Sequence, residues 1–436
     1  MANIHPFRAL RYDPQQVSLP QVVTQPYDKI NPSRQEQYYA ASPQNLVRII
    51  LGRREEKDNG NENVYSRAAA YFRGWREQGV LRQDVEPSIY AYSQRFTPPG
   101  SSTELERLGF IAIGRIEDYS SGVIYRHEQT LAKPKADRLD LLRATRGHFG
   151  QLFMLYEDSG QIDSLLANPG DPVISVKDEY GVLHRVWQIS DKQVIQAVQA
   201  AMSDKKLIIA DGHHRYETAL TYRNERRAED SAATSGKSPY EFVMMTFVNM
   251  NSSALLILPT HRVVHGLESF SEEQFRNSAR AFFDIEDMDP SLDGARATAI
   301  LRECGRAGTS ILAVTAQRAF LLHHPNPNSA APIFDGLSVR QQGLDVVQLH
   351  KCLLEKVLNL SEESIRNQQN LSYVRDAEEA LSLVRGSGAR ANIAFLMNPC
   401  RMLQVRDIAF AGEVMPQKST DFYPKLLSGL TIYALE

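Results

Sequence analysis

Cysteine is scarce in this chain: Cys304, Cys352 and Cys400 are all it has in 436 residues. They are far apart and form no CxxC pair, which argues against a disulfide framework or a cysteine-built metal site and fits a reducing compartment. Long apolar runs are lacking as well. No stretch reaches the roughly 18 apolar residues needed to cross a bilayer, and Met1–Arg8 has no signal-peptide core. These absences predict a cytoplasmic protein with no membrane partner. An excess of one charge is also missing, with 49 Lys and Arg against 52 Asp and Glu. The balance leaves no basic surplus for a nucleic-acid partner, although a local basic pocket for phosphates is compatible with it. Internal repeats are not evident. Neither a GxxxxGK[ST] P-loop, nor the HRD and DFG set of protein kinases, nor HExxH is found.

What is there is a mixture of short strands and helices, long enough for two or three domains. Strand patterns fall at Asn45–Leu51, Ile89–Ser93, Gly109–Ile116, Leu152–Tyr156, Leu207–Ala210, Ile311–Thr315, Ala319–His323, Ile393–Met397 and Met402–Val405. Phe242–Val248 and Ala254–Leu258 read as neighbouring strands. Helical spacing marks Tyr65–Gln78, Asp137–Thr145, a helix capped by Ser190 and running through Met202, Tyr216–Arg227, Glu272–Phe283, Val346–Leu358 and Asp376–Val384. Strands often follow one another without a helix between them, so the expected class is α+β with mixed sheets. The expected domains are residues 1–240 and 241–436, the second with a tail that packs back toward the site.

The densest chemistry is Asp211-Gly212-His213-His214-Arg215. It follows an apolar strand and opens a helix, an arrangement that turns backbone N–H groups toward an anion. Asp211 reads as the helix cap. Gly212 permits close backbone approach, and Arg215 can grip a phosphate or carboxylate through two N–H groups. A second cluster is His127-Glu128-Gln129-Thr130, with Lys135 and Arg138 downstream. Glu128 is placed to act as a general base or a Mg²⁺ ligand, and the two cations can neutralise phosphate charge; an exposed polar loop is the alternative. His261 and Arg262 end a strand, where polar residues often line a pocket. Near the C-terminus, Lys418, Ser419, Thr420 and Lys425 lie in an aromatic, proline-bounded segment that reads as an ordered closure or a docked tail. Gln25-Pro26-Tyr27-Asp28 is a turn that can contribute Asp28.

Taken together, His5–Arg8, Gln25–Asp28, Asn45–Arg48, His127–Thr130, Ala210–Tyr216, Pro259–Arg262 and Met415–Lys425 resemble a conserved family of bacteria and archaea, domain of unknown function 1015, over nearly the whole chain. The short Asp211–Arg215 box is also similar to the nucleotide-phosphate box of ParB/sulfiredoxin-like proteins, some of which phosphorylate free serine with ADP or ATP. That resemblance implies a strand–turn–helix phosphate site in which Gly212, His213, His214 and Arg215 hold the donor phosphates; Lys135, Arg138, Lys418, Ser419 and Thr420 stand beside them as further phosphate-binding candidates by residue type.

The expected function is therefore a nucleotide-dependent kinase for a small hydroxyl metabolite, using ATP or ADP with Mg²⁺. Glu128, Asp211, His213 and His214 are the catalytic candidates, with Glu128 or Asp211 as base. His127, Thr130, His261, Arg262 and Lys425 are the substrate-binding candidates. Two rivals stand beside it: a metal-dependent hydrolase drawing ligands from Asp211, His213, His214, His127, Glu128 and His261, and a non-catalytic nucleotide sensor.

Overall fold

The computed structural model describes every residue except 129–131, 168–169, 231–235, 328–330 and 387–388, and only the backbone of 132–134 and 331. Thr130 therefore lies outside the described residues. The class is mixed α/β, with mixed sheets, as expected. The chain divides into two compact units that interleave in sequence: residues 1–126, 130–256 and 424–436 form the first, and 127–129 with 257–423 form the second.

The first unit is organised by a nine-stranded sheet. Its strands are β1 (Ile4–His5), β2 (Ile89–Phe96), β3 (Leu105–Arg115), β4 (Ile124–Tyr125), β5 (Leu152–Tyr156), β6 (Ile174–Lys177), β7 (Leu183–Ile189), β8 (Leu207–Asp211) and β9 (Phe242–Asn249). The order is β4-β8-β5-β9-β3-β2-β7-β6, with β1 also on β3. β8 runs parallel to β4 and antiparallel to β5, while β9 runs parallel to β5. β5 and β9 are buried on both faces, which explains their unbroken apolar runs. One core gathers Phe110, Met154, Tyr156, Ile209, Tyr216 and Phe247; another gathers Tyr12, Leu46, Phe72, Trp75, Leu141 and Phe149. The main helices are α1 (Val64–Glu77), α2 (Ala132–Thr145), α3 (Lys192–Met202) and α4 (His213–Glu229).

The second unit holds a six-stranded antiparallel sheet: β10 (His261–Val264), β11 (Asp284–Met288), β12 (Ser310–Val314), β13 (Ala319–His323), β14 (Leu371–Val374) and β15 (Ile393–Met397), in the order β11-β13-β12-β15-β10-β14. Helices α5 (Gly294–Cys304) and α6 (Ala377–Val384) bury Ala297, Leu301, Leu381 and Val384 in a core with Leu312 and Leu396.

Several local expectations are corrected. Asn45–Leu51 is not a strand; Val47–Ile50 is a helical turn with Val47, Ile49 and Ile50 all buried. Met402–Val405 opens α7 (Met402–Phe410), whose buried Val405, Ile408 and Ala409 follow helical spacing. The cap of α3 is Asp191 rather than Ser190, its side chain accepting from the Gln193 and Val194 N–H groups. β9 lies between β5 and β3, and Leu256–Leu258 is not a member of that sheet. No described helix is long and apolar enough to cross a membrane.

Candidate functional site

β8 delivers its last residue, Asp211, through an irregularity in the ladder. Ile209 pairs with Met154, but Asp211 pairs with Phe153, so Ala210 is an extra residue and the strand is re-aimed there. Gly212 then takes φ +98° and is itself the N-cap of α4. Asp211 is thus the end of a strand and not the helix cap that its residue type suggested. A Cβ on Gly212 would sit 2.9 Å from Leu152 and 3.0 Å from Arg215, so both conformation and space demand glycine.

The Asp211 carboxylate faces cations. Lys425 Nζ lies 2.9 Å from one oxygen and Arg215 Nη2 4.0 Å from the other. Burial alone would raise its pKa, but Lys425, Arg215 and Lys29 outweigh burial and hold Asp211 well below the usual carboxylate range. Arg215 also donates to the Gln151 carbonyl at 2.5 Å. Its guanidinium is packed beside Gly150, where a Cβ would meet it at 3.2 Å and Ser428 Oγ at 3.0 Å.

Arg215 opens onto a half-open pocket within the first unit, with an enclosed space of about 70 Å³. Pro26, Ile50, Leu141, Leu142, Phe149, Leu152 and Val243 form apolar walls, and Tyr27, Arg138, His148, Thr218 and Ser428 complete the lining. That mixture of apolar walls and cationic side chains suits the charged end of a small ligand. Arg138 lies over the Tyr27 ring at 4.2 Å and donates to the Ile50 carbonyl at 2.6 Å. Burial pushes the Tyr27 hydroxyl up to about 12. Burial, aided by the Arg215 charge, lowers His148 to about 4, so its ring is neutral near pH 7. His213 is buried and His214 half-buried on the first turn of α4, and neither lines this pocket. Lys135 is held by the nearly buried Glu217 at 2.8 Å, with Arg126 on the other carboxylate oxygen at 3.3 Å.

The remaining candidates converge in the second unit. The Met415 N–H donates to the His127 carbonyl at 2.8 Å, and His127 Nε2 is 2.8 Å from Thr420 Oγ1. Glu128 Oε1 accepts the Lys418 N–H at 2.8 Å. The buried Arg262 donates to the Lys418 carbonyl at 3.0 Å and to the Thr260 carbonyl. Ser419 Oγ donates to the Pro416 carbonyl. Lys418 sits at φ +57°, a conformation lysine seldom takes, gripped on its N–H by a carboxylate and on its carbonyl by a guanidinium. The Met397 N–H donates to His261 Nδ1, and burial next to Arg262 lowers His261 to about 4.

The candidates thus fall into two groups. Asp211, Gly212, His213, His214, Arg215, Lys135, Arg138 and Lys425 belong to the first unit; His127, Glu128, His261, Arg262, Lys418, Ser419 and Thr420 belong to the second. Sequence reasoning missed His148, Gly150 and Ser428, and saw Tyr27 only as a neighbour of Asp28. The signal available for the first two was Gly147 and Gly150 bracketing His148-Phe149. Among the described residues, no group of three or more His, Cys, Asp or Glu side chains is arranged to hold a metal ion, so the hydrolase reading gains no support.

These features define a mixed α/β protein whose first unit carries a strand–glycine–helix corner beside a cationic pocket. Residues 4–347 match the family described as Protein of unknown function (DUF1015), and the chain belongs to that family. None of the curated proteins matches it in sequence. Among solved structures, it is similar to a free serine kinase variant in complex with AMP, at 10% identity and a TM-score of 0.36, covering 69% of this chain and 83% of that one. It is also similar to a conserved hypothetical protein from Pyrococcus furiosus (10%, 0.34, 70% and 90%) and to C-terminally truncated SbnI from Staphylococcus aureus (10%, 0.35, 75% and 89%).

Proposed function

We propose that the first unit is a nucleotide-dependent phosphotransferase that passes a phosphoryl group to the hydroxyl of a small metabolite, with free serine as the first acceptor to test. The observation that carries this reading is the position of Arg215, which lines the pocket and also faces the Asp211 carboxylate. Its guanidinium and the first turn of α4 supply positive charge for donor phosphates. Arg138 adds a second cation in the same pocket, and the apolar walls offer a surface for the nucleoside.

Asp211 takes the role of orienting the acceptor hydroxyl. Of the two candidate carboxylates, it is the one in the same unit as the pocket. Held ionised by its cations, it is a weak base. That suffices for a loose phosphoryl transfer, in which the hydroxyl proton leaves late and positioning dominates. The hydroxyl oxygen attacks the terminal phosphorus, the bond to the leaving phosphate oxygen breaks, and the proton passes to Asp211. Mg²⁺ belongs to this reading as the ion that arrives with the nucleotide, bound mainly by phosphate oxygens and water.

The test is calorimetry with ADP and ATP, followed by NMR detection of phosphorylated product across a panel of hydroxy-metabolites that includes serine. Saturable binding with transfer to at least one acceptor is expected. Binding without transfer would leave a nucleotide sensor, and neither binding nor transfer would overturn the reading altogether.

A further inference from the structure

We propose that Arg107 and Gln94 are positioning residues that act through Lys425, clamping its backbone so that its ammonium stays on Asp211. This role deepens the phosphotransferase reading and rests on it for its link to catalysis.

Gln94 on β2 and Arg107 on β3 are directly opposite one another in the antiparallel ladder, so their side chains emerge on one face. Arg107 is 1% exposed. Removing a guanidinium from water costs several kcal/mol unless its donors are used, and burial lowers this one to about 10. Its donors are used in a particular way. Nε donates to Gln94 Oε1 at 3.2 Å, Nη2 donates to the same oxygen and to the Pro424 carbonyl at 2.5 Å, and the guanidinium lies 4.7 Å from the centre of the Phe153 ring. Gln94 Nε2 in turn donates to the Lys425 carbonyl at 2.8 Å. Two buried side chains therefore hold two successive carbonyls. Tyr92, two residues earlier on the same face of β2, is hydrogen-bonded through its hydroxyl to the Leu427 backbone.

Residues 424 and 425 belong to no strand or helix, so no ladder of their own fixes them. The side-chain clamp takes that place. Lysine has a long, flexible stem whose ordering is entropically costly. Fixing its backbone reduces the arrangements open to the ammonium, which reaches Asp211 Oδ2 at 2.9 Å while only 9% exposed. The clamp thus holds in place the nearest of the cations that keep Asp211 ionised.

The experiment uses the full-length chain with Arg107→Met and the milder Gln94→Ala. Tyr90→Phe is the comparator: it removes a buried hydroxyl of the same strand that donates to Asp84 and touches neither residue 424 nor 425. Carbon-13 NMR of labelled aspartate follows the Asp211 titration. An upward shift in both clamp variants and none in Tyr90→Phe is expected. Kinetics should show kcat falling about tenfold, the cost of a modest misplacement, with KM for the nucleotide changed less than twofold. Arg107→Lys, which keeps a donor, should fall in between. An Asp211 titration unchanged in both clamp variants would overturn the clamp. Should the wild type transfer no phosphate, the phosphotransferase reading fails, while the titration still decides the clamp.

Discussion

In the first unit, the charged groups of the motif segments face one another across a bulged strand end. Asp211 meets Lys425 and Arg215, and Arg215 looks onto an apolar-walled pocket. In the second unit, the corresponding groups mainly hold backbone. Glu128 takes an N–H and Arg262 gives to carbonyls, and together they keep Lys418 in a left-handed conformation. The first arrangement places one of its charged groups, Arg215, on the wall of a pocket. The second spends its polar side chains on the shape of one loop. Residue types that look equally catalytic along the chain therefore differ in what they are free to do.

The sharpest way to break this contrast is Lys425→Met, which strands the Asp211 carboxylate without its nearest cation. Urea unfolding near pH 7 should show a loss of about 3 kcal/mol, the usual penalty for breaking a buried pair. The wild type should lose the same contribution only in acid. The folded-state pKa of Asp211 is depressed, so the stabilisation is present above about pH 4, the ordinary carboxylate value, and drains away below it. A variant as stable as the wild type at pH 7 would mean that the pair is ornamental.

A second prediction places the two units on equal terms. His148 and His261 are each lowered to about 4 by burial beside an arginine. The unfolded chain takes up these protons near pH 6.5 and the folded chain only near pH 4, so stability should be full above 6.5 and fall between those values. His148→Gln and His261→Gln should each flatten part of that fall, measured as the shift in urea midpoint from pH 7.5 to pH 5. A wild type whose midpoint does not move across this window would contradict both assignments.

The smallest effect is expected in the second unit. Lys418→Gly relieves a left-handed lysine and should raise stability by about 1 kcal/mol. A melting temperature that falls instead would show that the lysine stem, and not only its backbone, supports the loop.

The strand–turn–helix corner was legible because a four-residue apolar run, a glycine and a cluster of polar residues occur in succession. Its detail was not: the extra residue at Ala210 changes the register, and this moves Asp211 from a capping position to a strand end that meets a lysine 214 positions later (425 − 211). Periodicity failed at Val47–Ile50 because so short a stretch, with Arg48 between the buried Val47 and Ile49, fits helix and strand alike. It also failed where the reading stopped short: Met402–Val405 becomes helical only when Ile408 and Ala409 are counted. The pairing of Glu128 with Lys418 spans 290 residues and leaves no trace in local spacing. Arg107 and Gln94 carried no signal beyond being polar residues in apolar strands, which is itself a reason to ask what they hold.

The central claim is that Arg215 makes the first unit's pocket a site for nucleotide phosphates, and ADP titration calorimetry on the wild type and Arg215→Ala tests it most directly. The account predicts saturable binding by the wild type and a loss of about 100-fold in the variant, the scale of charge-assisted hydrogen bonds to phosphate. Equal affinity in the two proteins, or no binding by the wild type, would contradict it.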